Sequence, residues 1–458
     1  MRKLIIEAIS TELNEKNSTV RLSFSITTAN GNTNLWFETD AEFADTLADD
    51  RCDAAVVAVL PMVLREGYEV IESHVPISQK LYFNLRCHVI PQLLISPGCK
   101  STSLDLKMDT TDTTFRPAGV GCGMSLGIDS FATLAEFGPD TEFPGAQITH
   151  LTYFNVGAHH GYDWRLGQSN LTSRQLYNGQ LEKVRRFAKE FGYPLISVDS
   201  NMANFYHRFL GRSQFYVTHT YRNIATAMVL QRAIGAYHYS AAFNLDDFAI
   251  SLDGSVANYE KWLLPHLSTG NIECYSSNRA WTRFEKTQLV CKLPSSFDFL
   301  TVCLVGIDNC GKCDKCRKTL MTLDVLGVLD KYAKSFDLEE YKVNDREKLF
   351  ISLYPQLKRK GVYGPDMRDI LNHALLVDFP HLVEPKLTET YGSAVSAVVG
   401  SRGSRHRKLP FLNAPVYRMM PPGTELSIVG TYGKWSKAID GERTGFVWSA
   451  NIRKGNKE

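Results

Sequence analysis

A run of small residues between an apolar segment and a helical segment is the feature that most constrains the fold of this chain. The run covers residues 121–130 and leads into an apolar helical pattern at 131–137. Small residues let the backbone approach an anion closely, and successive N–H groups then point into one concavity. The helix that follows adds its positive N-terminal end. The segment predicts a phosphate-binding loop between a strand and a helix, although an ordinary turn can have the same composition.

Alternating strand and helix patterns extend from residue 119 to residue 330. The predicted elements are a strand at 148–156, a helix at 181–191, a strand at 194–198, a helix at 223–234 and a strand at 236–243. This alternation predicts an α/β fold, in which helices cover a parallel sheet. Ligands of such sheets bind beyond the carboxyl ends of the strands. We therefore expect Ser125, Asn155 and Asn244 to gather at that edge.

Four cysteines near the end of this stretch have the spacing of a metal site. Cys310, Cys313 and Cys316 form two overlapping C-x-x-C units, and Cys303 lies seven residues upstream. Four thiolates suit tetrahedral zinc, and a filled ligand set predicts a structural role. An iron–sulfur cluster is the alternative for four cysteines. Disulfides are disfavoured because the chain is long and lacks a secretory signal.

The loop resembles the pyrophosphate loop of PP-loop ATP pyrophosphatases. Residues 125–130 resemble the family motif Ser-Gly-Gly-x-Asp-Ser, with Leu126 in place of the first Gly. The loop and the cysteines, about 175 residues apart, together resemble the 7-cyano-7-deazaguanine synthase (QueC) family. Segments 220–227, 238–247 and 281–287 resemble family segments with Arg-Asn, Asn-x-x-Asp and Thr-Lys-x-Glu patterns. The resemblance covers roughly residues 119–330 and implies a PP-loop, HUP-like core.

The resemblance also implies roles for individual residues. Catalytic roles fall to Ser125, Asp129, Ser130 and Arg222, where the guanidinium is a phosphate clamp. Asp129 is expected either to help bind Mg²⁺ or to cap the helix. Lys286 is a candidate for neutralising phosphate. The implied ATP-binding and acceptor-binding residues are Gly123, Ser125, Gly127, Asp129, Ser130, Asn155, Asn244 and Asp247.

The implied reaction is an ATP-dependent, AMP-forming ligation. A carboxylate, in the family 7-carboxy-7-deazaguanine, becomes an acyl-adenylate, and ammonia or a protein amine then displaces AMP. Relatives encoded with type IV CBASS antiphage systems use a protein amine, which suits the additional modules of this chain and implies a role in antiviral defence. The family's Tyr-Pro-Asp-Cys-Arg-like segment is missing at 248–258. The alternatives are a PP-loop tRNA-modifying enzyme of the thiolase type and a non-catalytic nucleotide-binding scaffold.

The remaining segments predict further modules around the residue 118–330 core. Residues 1–117 predict an α+β module, with a hairpin near 19–38 and a helix near 50–66. Residues 331–400 predict a helical extension, followed by a basic linker at 400–408. Residues 409–458 resemble a small SH3-type barrel, a module that usually binds a partner. His159 and His160 follow a strand and receive no role.

Composition excludes several classes of partner. The formal net charge is +2, with 44% hydrophobic and 22% charged residues. A balanced charge disfavours an electrostatic attraction to nucleic acid or membrane. No apolar run reaches the 18 residues or so of a transmembrane helix. Free thiolates for a metal favour the reducing cytoplasm, and a homodimer is also expected.

Overall fold

The structure is a computed structural model, in which the chain divides into two compact units, Met1–Cys310 and Gly311–Glu458. It describes residues 2–109, 116–158, 162–163, 168–169, 171–210, 215–359, 363–412, 414–441 and 443–455. His159 and His160 lie outside the described residues. Within the described residues, no helix combines the length and the apolar composition that crossing a membrane requires.

The first unit contains twelve labelled strands and nine α-helices in its described residues. The strands are β1 Lys3–Asn14, β2 Thr19–Thr28, β3 Gly31–Asp40, β4 Val70–Ser78, β5 Ser103–Asp109, β6 Gly119–Gly123, β7 His150–Phe154, β8 Tyr162–Asp163, β9 Gln168–Ser169, β10 Leu195–Ser200, β11 Ile234–Ser240 and β12 Glu273–Ser277. The helices are α1 Asp53–Glu66, α2 Gln79–Asn84, α3 Ile90–Leu93, α4 Ile128–Phe137, α5 Leu171–Glu190, α6 Met202–Leu210, α7 Phe215–Met228, α8 Glu260–His266 and α9 Arg283–Val290.

Ten of these strands form one mixed, mostly parallel sheet. Its order is β12-β11-β6-β7-β10-β3-β2-β1-β4-β5. The five strands from β12 to β10 are parallel to one another, whereas β10–β3, β3–β2 and β2–β1 pair antiparallel. The predicted α/β class is confirmed, the predicted parallel strands belong to this mixed, mostly parallel sheet, and the predicted strands at 148–156, 194–198 and 236–243 correspond to β7, β10 and β11.

The sheet continues from the N-terminal segment into the parallel strands. Ser200 of β10 pairs with Phe37 of β3, and a single hydrophobic core includes residues from Leu4 to Cys274. The alternating buried positions of β2 supply part of that core, as period-two patterning requires. The sequence predicted a separate module at 1–117, but in the structure the strands on both sides of residue 117 share one sheet and one core.

The second unit combines helices with a separate antiparallel sheet. Its helices are α10 Asp314–Val325, α11 Leu338–Glu340, α12 Arg346–Gln356 and α13 Tyr363–Leu376. Its strands are β13 Glu389–Val399, β14 Ser404–Arg407, β15 Val416–Met420, β16 Glu425–Tyr432, β17 Trp435–Asp440, β18 Arg443–Trp448 and β19 Ile452–Lys454. They form one sheet in the order β15-β14-β18-β17-β16-β13-β19.

Two segments of the second unit differ from the sequence-based expectation. The stretch predicted as a helical extension, 331–400, ends in strand β13, which pairs with β16. The stretch predicted as a basic linker contains strand β14, in which His406 and Arg407 are buried. The Arg407 guanidinium donates a hydrogen bond of 2.7 Å to the Ala414 carbonyl, so tertiary contacts outweigh the linker-like composition.

Candidate functional site

The predicted phosphate loop lies where the connections of the parallel sheet change direction. In chain order the parallel strands are β6, β7, β10, β11 and β12, whereas across the sheet they lie in the order β10-β7-β6-β11-β12. The first strand, β6, therefore lies in the middle. The chain moves from β6 to β7 on one side and later returns to β11 on the other side of β6. Open α/β sheets bind ligands in the crevice beyond the carboxyl ends of strands at such a switch point. The β6–α4 loop, residues 124–127, occupies that position.

Local hydrogen bonds hold the loop in a compact turn. The Ser125 hydroxyl lies 3.3 Å from the Ser130 hydroxyl and accepts the Gly127 N–H at 3.4 Å. The Ser130 hydroxyl donates to the Gly127 carbonyl at 3.1 Å. Ser125 is exposed and Ser130 is buried. The turn therefore presents the Ser125 hydroxyl and the start of α4 to solvent, where an anion would be bound.

Leu126 has a left-handed backbone conformation within this turn. Its φ is +58°, in the region that favours glycine and that other residues seldom occupy. Its side chain is fully buried, and its carbonyl accepts the Thr301 N–H at 2.8 Å. The position where the PP-loop motif has Gly is thus a position where the backbone favours Gly, and packing of the leucine side chain compensates for the strain.

Asp129 in the first turn of α4 forms ion pairs with two cations. Its carboxylate lies 2.5 Å from Arg283 Nη1 and 3.3 Å from Lys286 Nζ. Gly127 is the N-cap of α4, so the expected capping role belongs to a different position. Arg283 and Lys286 come from the first turn of α9, which begins with a capping box between Thr282 and Glu285. Two cations therefore lie beside the loop, with Asp129 as their common partner.

Lys286 also connects the loop to the carboxyl end of β11. Its side chain is 1% exposed, and its ammonium donates to the Ala241 carbonyl. The next residue, Ala242, donates its N–H to Glu260 Oε1 at 3.1 Å. Asn244 and Asp247 follow in the same loop, where Asp247 accepts the Asn258 side-chain amide at 2.8 Å through its carbonyl. The structure thus brings the predicted Asn-x-x-Asp segment to the same sheet edge as Asp129.

A buried polar cluster lies behind this loop. Glu260 is fully buried at the start of α8 and accepts the Thr220 hydroxyl at 3.3 Å. Tyr239 OH lies 3.5 Å from the Thr220 hydroxyl and 2.7 Å from His219 Nδ1. Burial raises the pKa of Glu260 to about 8, although the Ala242 N–H and Lys286 oppose the shift. Burial, followed by Arg222, lowers the pKa of His219 to about 4. At neutral pH the cluster holds a proton on Glu260 and a neutral imidazole.

Asn155 marks the carboxyl end of β7 and pairs with the next strand. Its amide donates to Asp199 Oδ1 at 2.7 Å, and its carbonyl accepts the Ser200 hydroxyl at 2.6 Å. Asp199 also forms an ion pair with Arg174 at 2.7 Å. Asn155 therefore lies at the predicted sheet edge, where it holds the ends of β7 and β10 together.

Arg222 occupies a packing position within α7. The guanidinium is fully buried, donates to the Thr218 hydroxyl at 2.9 Å and to the Val156 carbonyl at 3.0 Å, and lies 4.2 Å from the centre of the Tyr206 ring. Burial lowers its pKa to about 10. A side chain without solvent exposure can reach a nucleotide only after movement, so the structure favours a structural role over the predicted phosphate clamp.

The four cysteines of segment 303–316 form a cluster that can bind a metal such as zinc. Their sulfur atoms all lie within 4.8 Å of one another. Sulfurs around tetrahedral zinc are separated by roughly 3.8 Å, given Zn–S bonds of about 2.3 Å, so a small contraction suffices. Gly311 supplies the left-handed turn between two of the cysteines, with φ of +69°. The Asn309 side chain fixes the approach to the cluster by bonding Val302 N and Leu300 O, both at 2.8 Å.

No family model, curated protein or solved structure matches this chain. The chemistry of the site is therefore argued from its own residues and their geometry.

The site also includes residues that the sequence patterns did not single out. Glu260, His219 and Tyr239 carry no local signal, because a glutamate at a helix start is ordinarily solvated. Arg283 had a readable signal, since Thr282-x-x-Glu285 is a capping box that predicts a helix start at residue 283. The partner of Arg283, Asp129, is 154 residues away in sequence and became visible only in the structure.

Proposed function

We propose that this protein is an ATP-dependent, AMP-forming ligase with QueC-like chemistry, and that its phosphate-binding element is the β6–α4 loop. The observation that carries the proposal is the position of Ser125, Asp129 and Ser130 at the switch point, with Arg283 and Lys286 beside them. Polyphosphate binding needs N–H donors, hydroxyls and cations around one concavity, and this arrangement contains all three.

In the proposed reaction a carboxylate oxygen attacks the α-phosphorus of ATP, and the bond to the β-phosphate bridge breaks. Pyrophosphate leaves, and a nitrogen nucleophile then attacks the acyl carbon, releases AMP and loses a proton to solvent. Catalysis of such a step is mostly positioning and charge neutralisation. The partly exposed Arg283 supplies the positive charge, whereas Lys286, which is 1% exposed, holds Asp129 from within the fold, and Asp129 orients Arg283. Because the Asp129 carboxylate already pairs with these cations, this positioning role fits it better than Mg²⁺ binding.

We further propose 7-carboxy-7-deazaguanine as the acid, with ammonia or a protein amine as the acceptor. The support is the resemblance of residues 238–247, whose Asn244 and Asp247 lie in the loop that Lys286 ties to Asp129. The C-terminal antiparallel sheet, as an SH3-like module, is proposed to hold a partner that carries the amine. The four cysteines are proposed to hold one zinc ion in a structural role.

The reaction is tested by incubating the full-length protein with ATP, Mg²⁺ and 7-carboxy-7-deazaguanine, with and without ammonia, and by quantifying AMP, ADP and pyrophosphate. We expect acid-dependent AMP and pyrophosphate. Asp129→Asn should lower turnover about 100-fold, because loss of a positioning charge affects the transition state. Asp140→Asn, an exposed carboxylate on the following loop, is the matched control. ADP as the main product, or no acid-stimulated AMP, refutes the ligase and leaves the scaffold alternative.

The metal is tested separately by elemental analysis of the purified full-length chain. We expect about one zinc per chain, which is lost in Cys313→Ser together with a lower melting temperature, because ligand binding contributes folding free energy. Cys87→Ser, an exposed cysteine outside the cluster, should retain the metal. Iron with acid-labile sulfide, or unchanged zinc in Cys313→Ser, contradicts the zinc assignment.

A further inference from the structure

A cleft beside strand β12 lies on the face of the sheet that carries α4 and α9. Its volume is about 490 Å³, within the range of small-molecule sites. It is distinct from the β6–α4 loop, because it is lined by the last turn of α4 and by the segment after β12. The residues that line it include Glu136, Phe137, His238, Tyr275, Arg279 and Trp281.

The walls of the cleft are aromatic. Phe137 stacks on His238 with ring centres 4.2 Å apart, and the exposed Tyr275 ring lies 5.6 Å from His238. The His238 Nε2 faces the Ala146 carbonyl at 2.9 Å and its Nδ1 faces the Ser277 hydroxyl at 2.8 Å. A carbonyl only accepts, so the imidazole donates from Nε2, and burial lowers the pKa of His238 below its ordinary value, which favours the neutral ring. His238 is therefore part of a flat wall and supplies no charge to a ligand.

Two polar groups in the cleft are available to a ligand. One oxygen of the Glu136 carboxyl accepts the Asn278 amide, and the other has no hydrogen-bond partner among the described residues. Arg279 is exposed and forms no ion pair within the described part of the chain. The cleft therefore offers one free acceptor and one cation beside its aromatic walls.

We propose that this cleft binds a planar nitrogen heterocycle that carries an anionic group, of the purine nucleoside monophosphate class. The ring lies against Tyr275 and Trp281, since bases stack on aromatic side chains. Glu136 accepts from ring and exocyclic N–H groups, and guanine presents two such donors side by side. Arg279 holds the anion, because a guanidinium matches two oxygens of a phosphate.

The ligand would also touch the segment that holds the candidate site. Residues 278–281 line the cleft, and the same segment continues into the capping box and first turn of α9. Arg283 and Lys286 of that turn bind Asp129. The cleft therefore lies next to the candidate site along the chain, and occupancy of the cleft does not depend on the proposed ligase activity.

The test is isothermal titration of the full-length protein with GMP, and with guanosine as the uncharged counterpart. GMP should bind more tightly than guanosine by about tenfold, the usual worth of one charge-assisted hydrogen bond. Arg279→Ala should weaken GMP binding about tenfold and leave guanosine binding unchanged. Lys292→Ala, an exposed cation at the end of α9, is the matched control and should leave both unchanged.

A second variant tests the contact with the ring separately from the contact with the anion. Glu136→Gln still accepts the Asn278 amide but presents a donor to guanine, so the affinities for GMP and guanosine should fall together. Absence of any binding heat at millimolar GMP overturns the proposal. So does GMP binding that Arg279→Ala and Glu136→Gln both leave unchanged, since the nucleotide would then occupy a different place.

Discussion

Among single residues, Leu126 has two opposing effects on the stability of the folded protein. A left-handed residue other than glycine costs about 1–2 kcal/mol, whereas burial of a leucine side chain stabilises by about 2–5 kcal/mol relative to alanine. The second effect is larger, which explains why this turn accepts leucine where the resemblance would place glycine.

The balance between backbone strain and side-chain burial predicts an unusual order of stability for the Ala and Gly variants of Leu126. Leu126→Ala loses the side chain and retains the strain, whereas Leu126→Gly loses both, so Ala should destabilise more than Gly by about 1 kcal/mol. At Leu134, a buried position within α4, the order should be the ordinary one, with Gly worse than Ala. Urea denaturation of the four variants measures the difference. If Gly is also worse than Ala at position 126, the left-handed conformation is wrong.

Glu260 is the residue whose protonation should most affect stability. Its pKa is raised to about 8 in the folded protein from an ordinary value of 4.5. The folded state therefore keeps a proton on Glu260 that the unfolded state loses as the pH rises. The contribution of Glu260 to the free energy of unfolding is thus full below pH 4.5 and declines as the pH rises to about 8.

Glu260→Gln should remove that decline, because the amide does not titrate and can still accept the Ala242 N–H. The free energy of unfolding, measured by denaturant at several pH values, should fall less between pH 5 and 8 in the variant than in the parent protein. Glu142→Gln, at an exposed position, should follow the parent curve. Parallel curves for the parent and Glu260→Gln would show that Glu260 is ionised in the folded state.

Among the secondary-structure elements, the first turn of α9 both stabilises its own helix and positions two cations. Thr282 accepts Glu285 N, Glu285 accepts Thr282 N, and the turn they define presents both Arg283 and Lys286 to Asp129. The position of two cations thus depends on one cap.

Thr282→Ala should lower stability by about 0.5–2 kcal/mol and should also weaken ATP binding, because the first turn frays. Thermal unfolding and ATP titration measure the two effects. Asp337→Ala removes the N-cap of α11 and is expected to affect stability alone. Equal ATP affinity in Thr282→Ala and the parent protein would mean that Arg283 and Lys286 do not need the cap.

At the scale of the whole molecule, the first unit is expected to unfold as one body. Phe37 of β3 and Val198 of β10 are both fully buried and belong to the same core. Large-to-small changes at such positions cost about 2–5 kcal/mol.

Phe37→Ala and Val198→Ala should therefore shift the same calorimetric transition to lower temperature. Ser23→Ala on β2 is a control outside the buried face and should shift it little. Two resolved transitions, each moved by only one of the two core variants, would support a separate N-terminal module.

Local sequence patterns were sufficient to predict several secondary-structure elements and the cysteine cluster of this protein. The strand–loop–helix at residues 119–137, the alternation behind β7, β10 and β11, and the three-residue spacing of Cys310, Cys313 and Cys316 all lie within short windows. Over such windows, backbone geometry and side-chain period leave few alternatives, so these features were predicted close to where the structure has them.

Tertiary structure alone decided the features that join distant residues. The pairing of β3 with β10 made one sheet of two predicted modules, and burial gave Arg222 a packing position and Glu260 a raised pKa. The ion pairs of Asp129 with Arg283 and Lys286 span more than 150 residues of sequence. Desolvation and ion pairing depend on which surfaces the fold brings together, and no short window of sequence contains both partners.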